Sequence, residues 1–69
     1  MRLSARNTFK GTIVEVQEGV VTGEVKVDIG DGKIIAATVT MDAVKDLEMK
    51  VGDEAWVLFK ASAVIVAKE

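Results

Sequence analysis

Two short clusters of hydroxyl, amide and basic side chains are the residues of this sequence best suited to chemistry. The first is Ser4-Ala5-Arg6-Asn7 near the N-terminus, and the second is Lys60-Ala61-Ser62 close to the C-terminus. A tetrahedral oxyanion needs several directed N–H and O–H donors, together with one or two cations that compensate its charge. Both clusters supply such groups, so they are candidate parts of an anion-binding site.

Other kinds of site have less support in the composition. The chain has no Cys and no His, which removes disulfides, thiolate zinc sites and the commonest metal ligand and general base. Asp28 and Asp31 flank a glycine-rich turn but lack the spacing and the distal Glu of a calcium loop, and Gly30-x-Gly32 lacks the rest of a nucleotide-binding fingerprint. We therefore expect no enzyme, no cofactor and no metal ligated directly by side chains.

Charge and hydropathy narrow the range of partners. Nine Lys and Arg residues against eleven Asp and Glu residues give a net charge of −2, whereas a general nucleic-acid-binding domain carries a clear positive excess. No apolar run approaches the roughly 18 residues of a transmembrane helix, and no apolar segment of a signal peptide follows the basic N-terminus. We expect a cytoplasmic protein that binds neither membranes nor nucleic acid.

The length of the chain limits how it can be stabilised. Its 69 residues are expected to form one domain over residues 1–69, and a domain of this size buries only about 60% of its unfolded surface. Aromatic residues make up 4%, so Val, Ile and Ala must fill the core. Since disulfides are excluded, oligomerisation is the stabilising device that remains, and we expect a homo-oligomer.

Hydropathy patterns predict five short strands. Most of the runs are rich in β-branched residues, and the second alternates apolar and charged residues. Gly11 inside the first run suggests a bulge or a tight bend, and Asp31-Gly32 is a strong hairpin signal between the second and third. The strands are expected at Thr8–Gln17, Val21–Ile29, Ile34–Thr40, Ala55–Lys60 and Val64–Ala67.

A change of period predicts one short helix between the third and fourth strands. Over Met41–Met49, the apolar residues Val44 and Leu47 fall at helical spacing, and Asp42 is expected to cap the first turn. The resulting order, β-β-β-α-β-β, is that of a five-stranded OB-type barrel, which closes its own sheet edges. The expected fold class is therefore all-β with small α content, an OB-like barrel.

The sequence resembles the molbindins, small cytoplasmic molybdate-binding proteins whose module recurs in molybdate-transport ATPases and molybdate-responsive regulators. The resemblance covers nearly the whole chain and keeps the order of the motifs. Its most specific part is the opening Ser-Ala-Arg-Asn combined with the late Lys-x-Ser bend. It rests on the segments Ser4–Asn7, Lys10-Gly11, Gly19–Val25, Val39–Val44, Val51–Asp53 and Lys60–Val64.

The resemblance implies an OB-like barrel that assembles into a hexamer, a trimer of dimers, with molybdate or tungstate at subunit interfaces. Ser4 and Arg6 match anion ligands of the family, and Lys60 matches a ligand lysine supplied by a neighbouring subunit. Ala61 stands where relatives often carry Ser. It therefore offers only its backbone N–H, and the hydroxyl donor is lost or moves to Ser62.

The resemblance also implies a second class of anion site. The stretch Gly19-Val20-Val21-Thr22 is expected to line it through backbone N–H groups. Ala36-Ala37 stands where several relatives carry Thr or Ser, which leaves Thr40 as the nearest hydroxyl candidate.

The leading interpretation is binding and intracellular storage of molybdate, with tungstate as a competitor, at subunit interfaces of a homo-oligomer. One alternative is an anion-sensing module that passes a signal to a partner protein. Another is a small nucleic-acid-binding OB domain, which the net negative charge and the scarcity of aromatic residues disfavour. A pterin ligand would need an aromatic stacking pocket that this composition hardly supplies.

Overall fold

A curled antiparallel sheet of four strands and one short helix make up the fold in the computed structural model, which describes residues 4–69. The strand order across the sheet is β3-β2-β1-β4. The first half of β1 pairs with β4, and the second half pairs with β2. The elements are β1 (Asn7–Gln17), β2 (Thr22–Asp28), β3 (Ile34–Thr40), α1 (Met41–Asp46), β4 (Glu54–Phe59) and a 3-10 turn (Ala61–Ala63).

The long strand β1 changes partner near its middle and carries a bulge there. Its register with β2 shifts between Ile13 and Glu15, so Val14 is the extra residue. The prediction of a bulge at Gly11 is wrong, because Gly11 pairs regularly with β4. A glycine is needed there for a different reason, since a Cβ at Gly11 would collide with the carbonyl oxygen of Asp28.

Small aliphatic side chains fill the core, as the composition predicts. Val25 and Val27 point from alternate positions of β2 to the same concave face, and each is 4% exposed. Met41 and Val44 of α1 cover one end of that face. Among residues 4–69, the buried apolar residues are Ile13, Val25, Val27, Met41 and Val44.

The helix α1 follows β3 directly because Thr40 caps it. The Oγ1 of Thr40 accepts a hydrogen bond from the N–H of Ala43 at 3.1 Å, so the predicted cap at Asp42 is wrong. Asp42 lies in the first turn instead, where its charge favours the positive end of the helix dipole. The helix is shorter than the predicted Met41–Met49, because Glu48 adopts a left-handed φ of 50°. No helix within residues 4–69 has the length and apolarity to cross a membrane.

The predicted hairpin between the second and third strands is confirmed. The N–H of Ile29 donates to the Lys33 carbonyl, and the N–H of Lys33 donates to the Gly30 carbonyl, both at 2.9 Å. A carboxylate oxygen of Asp28 accepts a hydrogen bond from the N–H of Gly30 at 2.8 Å, and this side-chain contact stabilises the turn. Asp28 therefore has a structural role at this turn, and Asp31 lies within the turn with a left-handed φ of 52°.

The predicted fifth strand at Val64–Ala67 is wrong for the protomer. Residues 64–69 have no regular secondary structure, so the order is β-β-β-α-β and the sheet is an open half-barrel. An apolar segment becomes a strand only when a sheet edge pairs with it. The tail, residues 64–67, pairs with no strand among residues 4–69, and Ile65 and Val66 are 93% and 88% exposed.

An apolar groove follows the concave face between the two unpaired edges of the sheet. Its volume is about 470 Å³. Side chains of the inner face, including Val27 and Val39, form its floor, and the consecutive residues Glu54–Leu58 of the edge strand β4 line one side. In a closed barrel, side chains from all strands would fill this space. The half-barrel instead leaves the apolar surface of the groove uncovered.

Candidate anion-binding site

The pairing of β1 with β4 brings the two predicted polar clusters to the same end of the sheet. Asn7, the first residue of β1, is opposite Phe59, the last residue of β4. Ser4–Arg6 leads into this pair and Lys60 leaves it. Because neighbouring strands lie about 4.8 Å apart, the two clusters emerge side by side from the sheet. We call this the Asn7 end.

The charged side chains at the Asn7 end face solvent in the protomer. Arg6 and Lys60 are exposed, and neither takes part in an ion pair with another residue in the range 4–69. The segments Ser4–Asn7 and Lys60–Ala63 contain no carboxylate. This end therefore has a local positive charge on a protein whose net charge is −2.

The hydroxyl and backbone donors of the predicted site are also at this end. Ser4 is exposed and Ala5 is half-buried, while Ala61 and Ser62 are exposed within the 3-10 turn. That turn is closed by a bond from the N–H of Ala63 to the Lys60 carbonyl at 2.9 Å. The turn thus sets the direction in which the chain continues after Lys60.

Besides the backbone pairing of β1 with β4, two side-chain contacts hold the Asn7 end together, and neither was predicted from the sequence. The Nδ2 of Asn7 donates to the carbonyl oxygen of Phe59 at 3.4 Å. The rings of Phe9 and Phe59 stack with their centroids 5.9 Å apart and their planes at 27°. In the sequence, the stack is signalled only by Phe9, two positions after Asn7, and by Phe59, directly before Lys60. Only the strand register makes the two rings diagonal neighbours.

The second predicted anion site, Gly19–Thr22 with Thr40, lies at the opposite end of β1, which we call the Gln17 end. Gly19–Thr22 joins β1 to β2, and Thr22 is directly opposite Thr40. The 11 residues of β1, at about 3.3 Å each, separate the two ends by roughly 30 Å. Thr40 therefore cannot join Lys60 around one anion within a single protomer.

Two acceptors at the Gln17 end take part in the fold. Thr40 caps α1 through its hydroxyl oxygen, and the N–H of Met41 donates to the Val21 carbonyl at 2.8 Å. Ala36 and Ala37 are four and three residues away, in the middle of β3. The absence of hydroxyls at these two positions leaves the Asn7 end unchanged.

Carboxylates surround the Gln17 end. Glu18 and Glu24 line a shallow depression of about 290 Å³ beside the loop. The nearest cation on β2 is engaged, since the Nζ of Lys26 lies 3.0 Å from Glu15 and 3.8 Å from Glu24. The hydrogen bond and negative charge of Glu15, with a smaller contribution from Glu24, raise the pKa of Lys26. A dianion would meet repulsion here.

The part of the chain that the structure describes contains no cluster of three or more His, Cys, Asp or Glu residues able to hold a metal ion. The arrangement at the Asn7 end suits a different task. Exposed guanidinium, ammonium and hydroxyl groups can bind the oxygen atoms of an intact oxyanion through hydrogen bonds and charge.

The chain matches one domain family over most of its length. The family model described as the TOBE domain covers residues 3–66. The protein named "Probable molybdenum-pterin-binding protein" from Haemophilus influenzae is 44% identical over 69 residues, which span the whole of both chains.

Two solved structures have the same fold. The molybdate binding protein from Sporomusa ovata has a TM-score of 0.92 and 34% sequence identity, covering 99% of this chain and 100% of that one. The cytoplasmic molybdate-binding protein ModG, in a form with molybdate bound, has a TM-score of 0.85 and 41% identity, covering 88% of this chain and 43% of that one. The resemblance to the molbindins is thus confirmed.

Proposed function

The chain belongs to the TOBE domain family, and on that premise we propose that it binds molybdate, with tungstate as a competitor, at the Asn7 end. The observation that supports this most is the Asn7–Phe59 pair, beside which Arg6 and Lys60 emerge with no carboxylate in either segment. Hydroxyl groups alone rarely offset the cost of removing a dianion from water. The planar fork of Arg6 and the compact charge of Lys60 supply the compensation.

We propose that the working form is a homo-oligomer, a hexamer, with the anion between subunits. The exposure of both cations in the protomer supports this, because a second protein surface is needed to exclude water from around the bound anion. Lys60 reaches the anion from a neighbouring subunit in this arrangement. The anion then links two subunits, and its binding stabilises the assembly by mass action.

The apolar tail gives independent support for assembly. Ile65 and Val66 are almost fully exposed, and the concave face of the sheet carries an unfilled apolar groove. Burying one such side chain contributes about 1.5–3 kcal/mol, so a second copy that covers the tail stabilises the pair substantially. The tail begins one residue after the turn that follows Lys60, so covering it also fixes Lys60.

A pterin ligand has less support than the oxyanion alone. Each aromatic ring of the chain already has a neighbour on one face. Phe9 and Phe59 stack on each other, and the Nζ of Lys10 lies 5.9 Å from the ring centroid of Trp56. The groove is lined mainly by aliphatic side chains and suits the apolar tail better than a planar heterocycle.

The proposed role is reversible storage of molybdate in the cytoplasm. No covalent or metal-ligand bond is required, because the oxyanion is held by its oxygen atoms. This suits a protein that takes up the anion and releases it unchanged.

Calorimetric titration of the wild-type protein with molybdate, tungstate and sulfate tests the ligand. Molybdate and tungstate should bind tighter than sulfate by about tenfold or more, because a smaller anion leaves buried donors unpaired. A reduced pterin serves as the organic control and should give no heat. Equal binding of sulfate and molybdate would contradict the proposal.

Native mass spectrometry tests the assembly. The wild type should be a hexamer, and Ile65→Asp should dissociate it because the charge enters the surface that covers the tail. Lys68→Gln is the matched control, since it also changes the net charge by −1 nearby without removing an apolar side chain. A wild-type monomer at micromolar concentration would overturn the proposed assembly.

A further inference from the structure

One side-chain hydrogen bond in the structure differs from the others in what it connects. Apart from ion pairs, residues 4–69 contain four hydrogen bonds that involve side chains, and three of them join residues two or three positions apart in turns and at the helix cap. The fourth, from Asn7 to the Phe59 carbonyl, spans 52 residues. It connects the two segments that carry the proposed anion ligands.

The buried core does not reach the Asn7 end. The five core residues belong to the middle of β1, to β2 and to α1. At the Asn7 end Phe9 is 39% exposed and Phe59 is half-buried, so burial there is incomplete. The strand ends are therefore held by their backbone pairing, and the Asn7 bond and the Phe9–Phe59 stack are the side-chain contacts that add to it.

The Asn7 bond fixes the backbone from which Lys60 departs. The carbonyl of Phe59 and the N–H of Lys60 belong to one planar peptide unit, so a bond to the oxygen orients the whole unit. Asn7 itself follows Arg6 directly. A single interaction thus constrains the main chain next to both cationic ligands.

We infer that Asn7 is a positioning residue of the anion site, with the Phe9–Phe59 stack as its support. The inference rests on the proposed function. In this role Asn7 acts through the Phe59 carbonyl, whereas the sequence predicted that Asn7 binds the anion directly. Donors held in a fixed geometry discriminate between anions of different radius, so the residue that holds them contributes to selectivity as well as to affinity.

Titration of Asn7→Ala with molybdate and with sulfate tests this role. We expect the molybdate affinity to fall about five- to tenfold, the range for one lost hydrogen bond, and the preference over sulfate to narrow. The melting temperature without anion should stay close to that of the wild type. The backbone amide resonance of Lys60 should shift, because its peptide unit loses the bond.

Two further variants make the result decisive. Thr12→Ala, in the same strand beyond the site, is the matched control and should leave both affinities unchanged. Asn7→Ser keeps a polar side chain, but that side chain is too short to reach the Phe59 carbonyl. We therefore expect Asn7→Ser to lose affinity as Asn7→Ala does. It replaces Asn7→Ala if the alanine variant does not fold. Loss of the fold in both would overturn the inference, because the bond would then serve stability alone.

The possible failures can be told apart. If Asn7→Ala keeps its molybdate affinity and its molybdate-to-sulfate ratio within about twofold while Lys60→Ala loses binding, the positioning role is overturned and the proposed function stands. If the wild type does not bind molybdate, the proposed function fails and the positioning role fails with it.

Discussion

The two ends of β1 carry similar polar residues but differ in charge and in how those residues are used. At the Asn7 end, Arg6 and Lys60 are exposed and their segments contain no carboxylate. At the Gln17 end, Glu18 and Glu24 line the surface, and the hydroxyl of Thr40 caps α1. Glycine and hydroxyl motifs made both ends candidates in the sequence. The two ends therefore differ in the sign of the charge that the fold brings together, and this difference favours the Asn7 end for a dianion.

The sign of this charge effect favours the Asn7 end. Two unit charges about 4 Å apart interact by roughly 1 kcal/mol even in bulk water, and a dianion doubles that figure. At the Gln17 end the Nζ of Lys26 lies 3.8 Å from Glu24 and offsets part of its charge, whereas the segments that carry Arg6 and Lys60 contain no carboxylate. We therefore propose the Asn7 end as the main anion site.

The largest effect is expected when a cation is removed from the Asn7 end. Lys60→Ala should weaken molybdate binding by about 2–5 kcal/mol, the range for losing one partner of a buried charged contact, and Arg6→Ala should do the same. Both should abolish most of the rise in melting temperature that molybdate causes. Thermal melting with and without molybdate measures this.

Lys45→Ala is the matched control for these variants, because Lys45 is exposed in the last turn of α1, away from the Asn7 end. It should keep the full molybdate-dependent shift. An unchanged shift in both the Lys60 and the Arg6 variants would leave the Asn7 end without support as the anion site.

An intermediate effect is expected at the Gln17 end, and it concerns stability. Thr40→Ala removes the cap of α1 and should lower the free energy of unfolding by about 1 kcal/mol. The molybdate affinity of the folded protein should not change. Urea unfolding and calorimetric titration measure the two quantities, and Thr40→Ser should restore stability. A tenfold loss of affinity in Thr40→Ala would mean that the Gln17 end takes part in anion binding.

The smallest effect is expected when a carboxylate at the Gln17 end is neutralised. Glu18→Gln should leave the molybdate affinity within about twofold, because the site lies far beyond the Debye length of roughly 8 Å at physiological salt. Titration in physiological salt measures this. A marked gain in affinity would show that molybdate binds near Glu18, and the contrast between the two ends would then be lost.

Much of the sheet could be predicted from local patterns. The alternation of Val25 and Val27 identified the buried face, and the third strand was predicted with its observed bounds, Ile34–Thr40. The helix cap was not predicted correctly because Thr40 and Asp42 are both good capping residues. Which of them lies at the boundary depends on where β3 stops pairing with β2, and that is set by the register of the whole sheet.

The non-local features could not be predicted in the same way. Residues 64–67 are apolar and β-branched, yet a strand requires a sheet edge, and no local pattern encodes whether one is available. The two polar clusters were recognisable as donor sets. The Asn7–Phe59 bond that joins them spans 52 residues, so it follows from the strand register and not from spacing along the chain.

The position of molybdate in a crystal structure tests directly whether the anion binds at the Asn7 end. Crystals grown with molybdate should show anomalous scattering from molybdenum at the Asn7 end, in contact with Arg6 and Lys60, which are contributed by different subunits. We predict this anomalous peak in the wild type and its loss in Lys60→Ala. A molybdenum peak confined to Gly19–Thr22 and Thr40 would contradict it.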